Sequence, residues 1–307
     1  GKAFMSYADE LKTIIHGDVA TDDATLAEYS HDYSIFSVRP QVVVFPRDVE
    51  DVKALVRFTK ERQATGDKVT LTGRSAGTDM SGGPLTESVV LDLTRHLNRI
   101  REIGKDYAVT EPGVYYRDFE KETLKQNLLL PSFPASKDIC TVGGMASNNS
   151  GGEKTLAYGK TENYVMELKA VLSDGNEYLF RPLNSGELSQ KLEQKDFEGE
   201  LYRKIYKLVT DNQAAIKAAK PRVSKNSAGY YLWNVWDGRH FDLTKLLVGS
   251  QGTLGIITEI KFRLIKPKSL SQLLVIFLKD LKPLVAVAHQ VLEFKPEGFE
   301  SYDDHTL

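Results

Sequence analysis

Residues 72–83 read Thr72-Gly-Arg-Ser-Ala-Gly-Thr-Asp-Met-Ser-Gly-Gly83, a glycine-rich loop that follows an expected strand. Such a loop can turn many backbone N–H groups toward one point and so bind an anion, because glycine allows positive φ and close approach. Since a hydrogen bond to a charged group contributes roughly 1.5–3 kcal/mol, several together suffice for a tight ligand without any lysine. An ordinary long turn is the alternative. The loop lacks the G-x-G-x-x-G fingerprint of dinucleotide-binding Rossmann folds.

Two further stretches are rich in small residues. The second stretch is Pro134-Ala-Ser-Lys-Asp-Ile-Cys-Thr-Val-Gly-Gly-Met-Ala-Ser-Asn-Asn-Ser-Gly-Gly152, which suits close backbone contact with a flat ring or a pyrophosphate. A flexible linker is the alternative, but a linker would not normally contain Ile139 and Val142. The third stretch is Leu247-Val-Gly-Ser-Gln-Gly-Thr-Leu-Gly-Ile-Ile-Thr-Glu-Ile260. Taken alone, it predicts a tight turn into a core strand.

The apolar pattern around the first loop predicts β-α-β order. The first forty residues read as helix and loop, and Pro40–Phe45 reads as a strand. Asp48 is expected to cap a helix over about 49–62, and strands are expected at Val69–Leu71 and Val89–Leu93.

Alternating strands and helices are expected beyond Ile100. The predicted strands are Tyr107–Val109, Glu167–Leu172, Glu177–Phe180, Ile256–Leu264, Leu273–Phe277 and one that starts at Gly298–Tyr302. Predicted helices include one that carries Leu201 to Ile216, closed off by Pro221, and one over Leu284–Leu292. Residues 173–176 (Ser-Asp-Gly-Asn) predict a hairpin turn, and Lys266-Pro-Lys268 predicts a hinge.

The composition of the 307-residue chain is that of a folded, globular protein. Hydrophobic residues make up 41%, charged residues 27%, and the net charge is −2. Basic residues are scattered, so no nucleic-acid partner is expected, and no apolar run is long enough to predict a transmembrane segment. Cys140 is the only cysteine, which excludes a disulfide within the chain, and the histidines lack metal-ligand spacing. We therefore expect no metal site and a cytoplasmic location.

The three stretches, in this order and spacing, resemble the PCMH-type FAD-binding domain of the vanillyl-alcohol oxidase family. The resemblance is strongest to its D-lactate, glycolate and 2-hydroxyglutarate dehydrogenase branch, and it covers roughly residues 30–265. The family patterns R-G-x-G-T-x-x-x-G-G, P-A-S-K-D-I-C-T-I-G-G and G-S-E-G-T-L-G-I correspond to residues 74–83, 134–144 and 249–256. This chain departs at Ser75, where glycine is usual, and at Gln251, where glutamate is usual. Pro46 to Val52 resembles the family's helix start, which is structural.

The resemblance implies an α+β fold of two subdomains that clasp FAD. It implies an N-terminal helical segment at 1–39, an FAD-binding domain at 40–265 with subdomains of about 40–100 and 100–265, and the start of a cap domain at 269–307. The residues that would wrap the FAD pyrophosphate are Arg74, Ser75, Ala76, Gly77, Thr78, Asp79, Ser81 and Gly82. Those that would line the flavin and ribityl region, or continue along the cofactor, are Pro134, Ala135, Ser136, Asp138, Val142, Gly143, Gly144, Ala146, Ser147, Asn148, Ser150 and Gly151. Gly252, Thr253 and Ile256 would enclose its adenosine or ribityl side.

The resemblance also implies the chemistry. The flavin would accept a hydride at N5 from a D-2-hydroxy acid, while a protein base takes the hydroxyl proton. The catalytic residues are expected after Leu307, so none is named, and Arg239 and His305 are expected to be surface or structural residues. FAD should be held noncovalently, because Thr78 stands where covalent members carry histidine and Cys140 precedes the glycine pair rather than following it.

Two functions stay open. The chain is either the FAD domain of a flavin-dependent 2-hydroxyacid dehydrogenase or an FAD-carrying, non-catalytic electron-transfer subunit of a complex. The expected partners are a small hydroxy acid and an electron acceptor, for which an iron–sulfur domain or subunit is one candidate. Such partners would also allow a position at the face of the inner membrane.

Overall fold

The computed structural model describes residues 6–223, 225–303 and 305. The strands of this part of the chain lie in two sheets, with helices packed against both. The expected segments 1–39 and 269–307 include residues 1–5, 304, 306 and 307, which lie outside the described residues.

The first sheet has the strand order β1-β2-β4-β3. The β2–β4 and β4–β3 pairings are parallel, and the edge strand β1 pairs with β2 antiparallel. The elements of this part are α1 (Tyr7–Ile14), β1 (Asp18–Ala20), α2 (Asp23–Glu28), β2 (Val42–Phe45), α3 (Val49–Ala64), β3 (Leu71–Arg74) and β4 (Val89–Asp92). Both faces of the sheet are covered. Val42 and Val44 pack toward α1 and α3, whereas Val43 and Phe45 face Leu26 of α2. This burial explains why β2 is a continuous apolar run rather than an alternating one.

Two aspartates set the start of α3. Asp48 caps the helix by accepting a hydrogen bond from the backbone N–H of Asp51. The carboxylate of Asp51 is buried and accepts from the backbone N–H groups of His16, Gly17 and Arg47, each at 2.8 Å. These bonds tie the N-terminal segment to the helix, so the aspartates of this motif are structural, as predicted.

The second sheet is antiparallel, with the order β5-β6-β9-β7-β8. The elements of this part are β5 (Ile100–Ile103), β6 (Tyr107–Thr110), α4 (Tyr116–Leu124), α5 (Val142–Asn148), α6 (Thr155–Tyr158), β7 (Val165–Val171), β8 (Glu177–Phe180), α7 (Ser185–Glu193), α8 (Phe197–Asp211), α9 (Gln213–Ala219), α10 (Thr244–Leu247) and β9 (Ile256–Arg263). Short 3-10 turns lie at Thr161–Asn163 and Leu232–Asn234. The predicted hairpin turn joins β7 to β8, with Gly175 at φ 77°.

The two sheets meet at one corner. Val171 of β7 and Ile256 of β9 belong to the apolar core of the first sheet, although their strands belong to the second. A Cβ on Gly73 of β3 would lie 3.3 Å from Cδ1 of Ile256. This close approach places the loop after β3 beside the start of β9.

Among the described residues after β9 there is one helix, α11 (Leu284–Glu293), which confirms the helix predicted over Leu284–Leu292. The strands expected at Leu273–Phe277 and Gly298–Tyr302 are wrong, since neither run is a strand. The side chains of Leu273 and Phe277 are 89% and 91% exposed. An apolar run becomes a strand only where a neighbour completes its hydrogen bonds, and none pairs with these residues in the described part of the chain.

Other boundaries also differ from the predictions. The strand expected at Val69–Leu71 begins at Leu71, and the N-terminal segment holds an edge strand, β1, that was not predicted. The single helix expected over Leu201 to Ile216 is two helices, which meet at Asn212.

Candidate cofactor site

A cleft opens where the two sheets meet, and all three small-residue stretches line it. Its free volume is about 960 Å³ when the open space at its mouth is counted. The predicted residues that line it are Arg74, Ser75, Ala76, Gly77, Thr78, Asp79, Pro134, Ser136, Gly143, Gly144, Ser147, Asn148, Ser150, Gly252 and Ile256.

The first loop offers the cleft a row of hydrogen-bond donors. The backbone N–H groups of residues 75–79 donate to no acceptor within the described residues. Asp79 shapes the end of the loop, because its carboxylate accepts from the backbone N–H and the hydroxyl of Ser81. Unpaired donors in a glycine-containing turn form an anion nest, so this donor set fits a pyrophosphate.

Arg74 adds a cation beneath this loop. Its side chain is buried, with the guanidinium 2.8 Å from the carbonyl oxygen of His31 and 4.9 Å from the ring centroid of Tyr29. No carboxylate lies within ion-pair distance of it in the described part of the chain. Burial lowers the pKa of Arg74, yet an arginine stays charged in proteins. A Cβ on Gly77 would lie 2.4 Å from this guanidinium, so only glycine fits there.

The second stretch turns two adjacent glycines to different neighbours. Gly143 donates its N–H to the carbonyl oxygen of Pro112 at 2.8 Å, and a Cβ on it would lie 2.4 Å from Cβ of Pro112. A Cβ on Gly144 would instead lie 3.5 Å from Cβ of Ser75, across the cleft. Gly143 therefore serves packing, whereas Gly144 keeps the gap between the first and second stretches open.

The third stretch is bonded to the end of α5. Gln251 adopts φ 56°, its N–H donates to the carbonyl oxygen of Ser147, and its side-chain amide donates to Oδ1 of Asn148, both at 2.9 Å. The side chain of a glutamate, which is usual at position 251, has no N–H group to donate to Asn148. Gln251, one of the two positions at which this chain departs from the family pattern, thus joins two walls of the cleft.

The remaining predicted residues do not line the cleft. They are Ser81, Gly82, Ala135, Asp138, Val142, Ala146, Gly151 and Thr253. Val142 and Ala146 are fully buried in the core of the second sheet, because residues four apart share one face of α5 and these two share the inner face. The backbone N–H of Gly82 donates to the carboxylate of Asp32, away from the row of free donors.

Some lining residues were not predicted. They are Gly73, Gly83, Pro84, Leu93, Pro112, Cys140, Thr141, Met145, Gln251, Gly255 and Ile257. Most of these residues lie next to predicted residues in the sequence, so slightly wider motif boundaries would have included them. Leu93 and Pro112 come from outside the three stretches, and only the packing of the two sheets brings them to the cleft.

Cys140 lies in the cleft wall as a buried thiol. Burial raises the pKa of Cys140 to about 11, although a hydrogen bond with Ser136 opposes the shift. Of the apolar residues near it in sequence, Val142 is buried, whereas Ile139 is 39% exposed because it lies in a surface turn. Arg239 and His305 are exposed and lie outside the cleft lining, as expected.

In the described residues, no group of three His, Cys, Asp or Glu side chains is placed to hold a metal ion. Within that same part, no helix has the length and apolar character needed to span a bilayer.

Comparison with known proteins identifies the fold and the cofactor domain. Residues 40–178 match the family model described as an FAD binding domain. The chain is 30% identical over 290 residues to D-2-hydroxyglutarate dehydrogenase of Pantoea ananatis (strain AJ13355), covering 93% of this chain and 26% of that protein. It is 27% identical over 302 residues to glycolate oxidase subunit GlcD of Bacillus subtilis (strain 168), covering 95% of this chain and 52% of that protein.

A solved structure of alkyldihydroxyacetonephosphate synthase shares the fold, with a TM-score of 0.57 at 20% identity over 84% of this chain and 39% of that one. The chain spans about a quarter to a half of the length of the curated relatives named above. Residues 40–178 are thus similar to FAD binding domains, and the two curated relatives are named as a D-2-hydroxyglutarate dehydrogenase and a glycolate oxidase subunit.

Proposed function

We propose that the cleft binds one FAD and that the protein to which this domain belongs oxidises a D-2-hydroxy acid to the 2-oxo acid. The observation that carries the proposal is the convergence of three small-residue stretches on one cleft whose first loop has free N–H donors at residues 75–79. Bound FAD supplies the acceptor for a hydride from the carbon that bears the substrate hydroxyl. The names of the relatives supply the substrate class.

The chemistry of the cleft supports a role for each wall. Residues 75–79 would hold the pyrophosphate, with the charge of Arg74 beneath them. The wall from Pro134 to Ser150 would line the flavin and ribityl chain, because Gly144 leaves room there. On the third wall, a Cβ on Gly252 would meet no atom within 4 Å, which leaves space for the rest of the cofactor.

The division into domains rests on the family resemblance and on the same cleft. We propose that the subdomains of about 40–100 and 100–265 clasp the cofactor between their sheets, and that a cap domain begins at 269. We also propose a cytoplasmic protein that passes electrons to a partner, with an iron–sulfur domain or subunit as the candidate acceptor. The single cysteine, Cys140, supports the reducing compartment.

Cofactor binding is tested by adding FAD to the purified chain. A ligand at about 100 times its Kd contributes about 2.7 kcal/mol, so Tm should rise and the protein should turn yellow. After acid precipitation the yellow colour should stay in the supernatant, because neither Thr78 nor the neutral thiol of Cys140 is placed or activated to form a covalent link. A colourless protein with an unchanged Tm would contradict the proposal.

The substrate class is tested on the complete protein that contains this domain. Anaerobic mixing with D-2-hydroxyglutarate, D-lactate or glycolate should bleach the flavin absorbance for at least one of these acids, while L-2-hydroxyglutarate serves as the control. A protein that holds FAD but is reduced by none of them would instead favour the electron-transfer subunit.

A further inference from the structure

Lys160 is a buried cation that forms no ion pair within the described part of the chain. Its side chain is 5% exposed, and its ammonium donates to the carbonyl oxygen of Asn226, to the hydroxyl of Tyr231 at 2.7 Å and to Oγ of Ser227 at 3.4 Å. No carboxylate lies within 4 Å of it among the described residues. Burying a charge is costly unless hydrogen bonds compensate it. The three acceptors that compensate the charge of Lys160 all belong to residues 225–231.

The stem of Lys160 stands directly behind the second stretch. A Cβ on Gly151 would lie 3.0 Å from Cγ of Lys160. The next residue, Thr161, donates its backbone N–H and its hydroxyl to the carbonyl oxygen of Ser150, at 2.9 and 2.8 Å. Since Ser150 lines the cleft, the ammonium connects residues 225–231 to that wall.

The same segment is also bonded to the third stretch. The hydroxyl of Tyr230 lies 2.7 Å from Oγ1 of Thr253, which in turn donates to the carbonyl oxygen of Ser250. Tyr230 is therefore the donor in the first of these bonds. Thr253 follows Gly252, which lines the cleft.

Residues 225–231 form neither helix nor strand, so their position depends on these anchors. The internal hydrogen bonds of the segment all involve side chains. The side-chain amide of Asn226 bonds to the N–H and the carbonyl oxygen of Ala228, and the hydroxyl of Tyr231 donates to the carbonyl oxygen of Asn226. Gly229 adopts φ 72°. A segment with so few backbone bonds of its own opens readily when an anchor is lost.

We propose that residues 225–231 form a strap that joins the second and third stretches along the flank of the cofactor cleft and slows the release of bound FAD, and that Lys160 is the residue that positions it. The proposal rests on the proposed function in that FAD is the occupant of the cleft. The strap takes part in no covalent chemistry. It limits how far the second and third stretches can move apart.

The test compares three variants of the FAD-loaded protein. Lys160→Met keeps the stem and removes the ammonium, Tyr230→Phe removes one hydroxyl, and Lys154→Met is the matched control. Lys154 lies six residues before Lys160 but pairs with Glu297 at 3.3 Å instead of the strap. FAD release is followed by the recovery of flavin fluorescence after dilution, and backbone exposure at residues 225–231 by hydrogen–deuterium exchange.

Release should be about fivefold faster for Tyr230→Phe, the effect of one hydrogen bond, and at least about tenfold faster for Lys160→Met. Exchange at 225–231 should rise in Lys160→Met, and Lys154→Met should match the wild type in both measurements. Wild-type release rates in both strap variants would overturn the strap, and unchanged exchange in Lys160→Met would overturn the role of Lys160.

The outcomes separate this proposal from the proposed function. A wild-type protein that binds no FAD would contradict the cofactor assignment, while exchange in the cofactor-free protein would still decide whether Lys160 positions the strap. If Lys160→Met does not fold, Tyr230→Phe decides, because its side chain is 44% exposed and its loss leaves no buried cavity.

Discussion

Adjacent glycines of the second stretch should respond oppositely to the same substitution. In Gly143→Ala the new Cβ would lie 2.4 Å from Cβ and 2.6 Å from the carbonyl oxygen of Pro112, so backbone must shift. Overpacking of this kind costs about 1–3 kcal/mol. With about 2–4 °C of Tm per kcal/mol for a protein of this size class, Tm should fall by roughly 2–12 °C.

Gly144→Ala has room for its methyl group. Its nearest neighbours would be Oγ1 of Thr141 at 3.4 Å and Cβ of Ser75 at 3.5 Å, which are ordinary contacts. Because alanine also favours a helix over glycine, by up to about 1 kcal/mol, the Tm without cofactor should be unchanged or higher. The methyl group narrows the gap between the first and second stretches, so we expect FAD binding at least about tenfold weaker.

For each variant, Tm is measured by thermal unfolding without cofactor, and FAD affinity is measured by titration. Gly186→Ala is the control, since Gly186 lies in the first turn of α7, has similar room with Asn184 at 3.4 Å, and lies outside the cleft lining. Wild-type FAD binding by Gly144→Ala would show that FAD does not occupy the gap beside Gly144. A Gly143→Ala variant as stable as the control would show that the contact with Pro112 does not constrain the backbone.

Other perturbations should give equally defined results. Gln251→Glu should lower Tm by a few degrees and weaken FAD binding, because the side-chain donor to Asn148 is lost. An unchanged Tm and an unchanged FAD titration would show that the bond between Gln251 and Asn148 is unimportant. A hydrogen bond from Tyr158, together with nearby lysines, lowers the pKa of Glu297 from 4.5 to about 2. The contribution of Glu297 to folding stability is therefore complete above about pH 5 and is lost as the pH falls through 4.5 toward 2. Glu297→Gln should therefore destabilise the protein by about 1–2 kcal/mol at pH 7, after allowance for solvent screening, and the difference from wild type should vanish near pH 2; a pH-independent difference in urea unfolding would refute this. Cys140 should react with thiol reagents far more slowly in the folded protein at pH 8 than in urea, because burial raises its pKa to about 11; equal rates would contradict its burial.

The sequence alone predicted most of the strands in the described residues, and its resemblance to a known family implied FAD as the cofactor. Three small-residue stretches at these spacings carried that resemblance; from its residues alone, the first stretch favoured an anion-binding loop. Strands β2, β4, β6 and β8 follow from local apolar runs bounded by turn residues, and these signals need no tertiary context. The cap of α3 by Asp48 was equally local.

The tertiary structure decided which side each small residue faces. Glycine lacks a side chain that reports its surroundings, so only the packing of Pro112 against Gly143, and of Ser75 opposite Gly144, separates a structural glycine from a cleft glycine. The strap depends on Lys160, whose acceptors lie 66 or more residues further along the chain, beyond any local pattern. The run from Leu273 to Phe277 shows the converse limit, because its apolar pattern predicts a strand but a ladder requires a partner that the described residues do not provide.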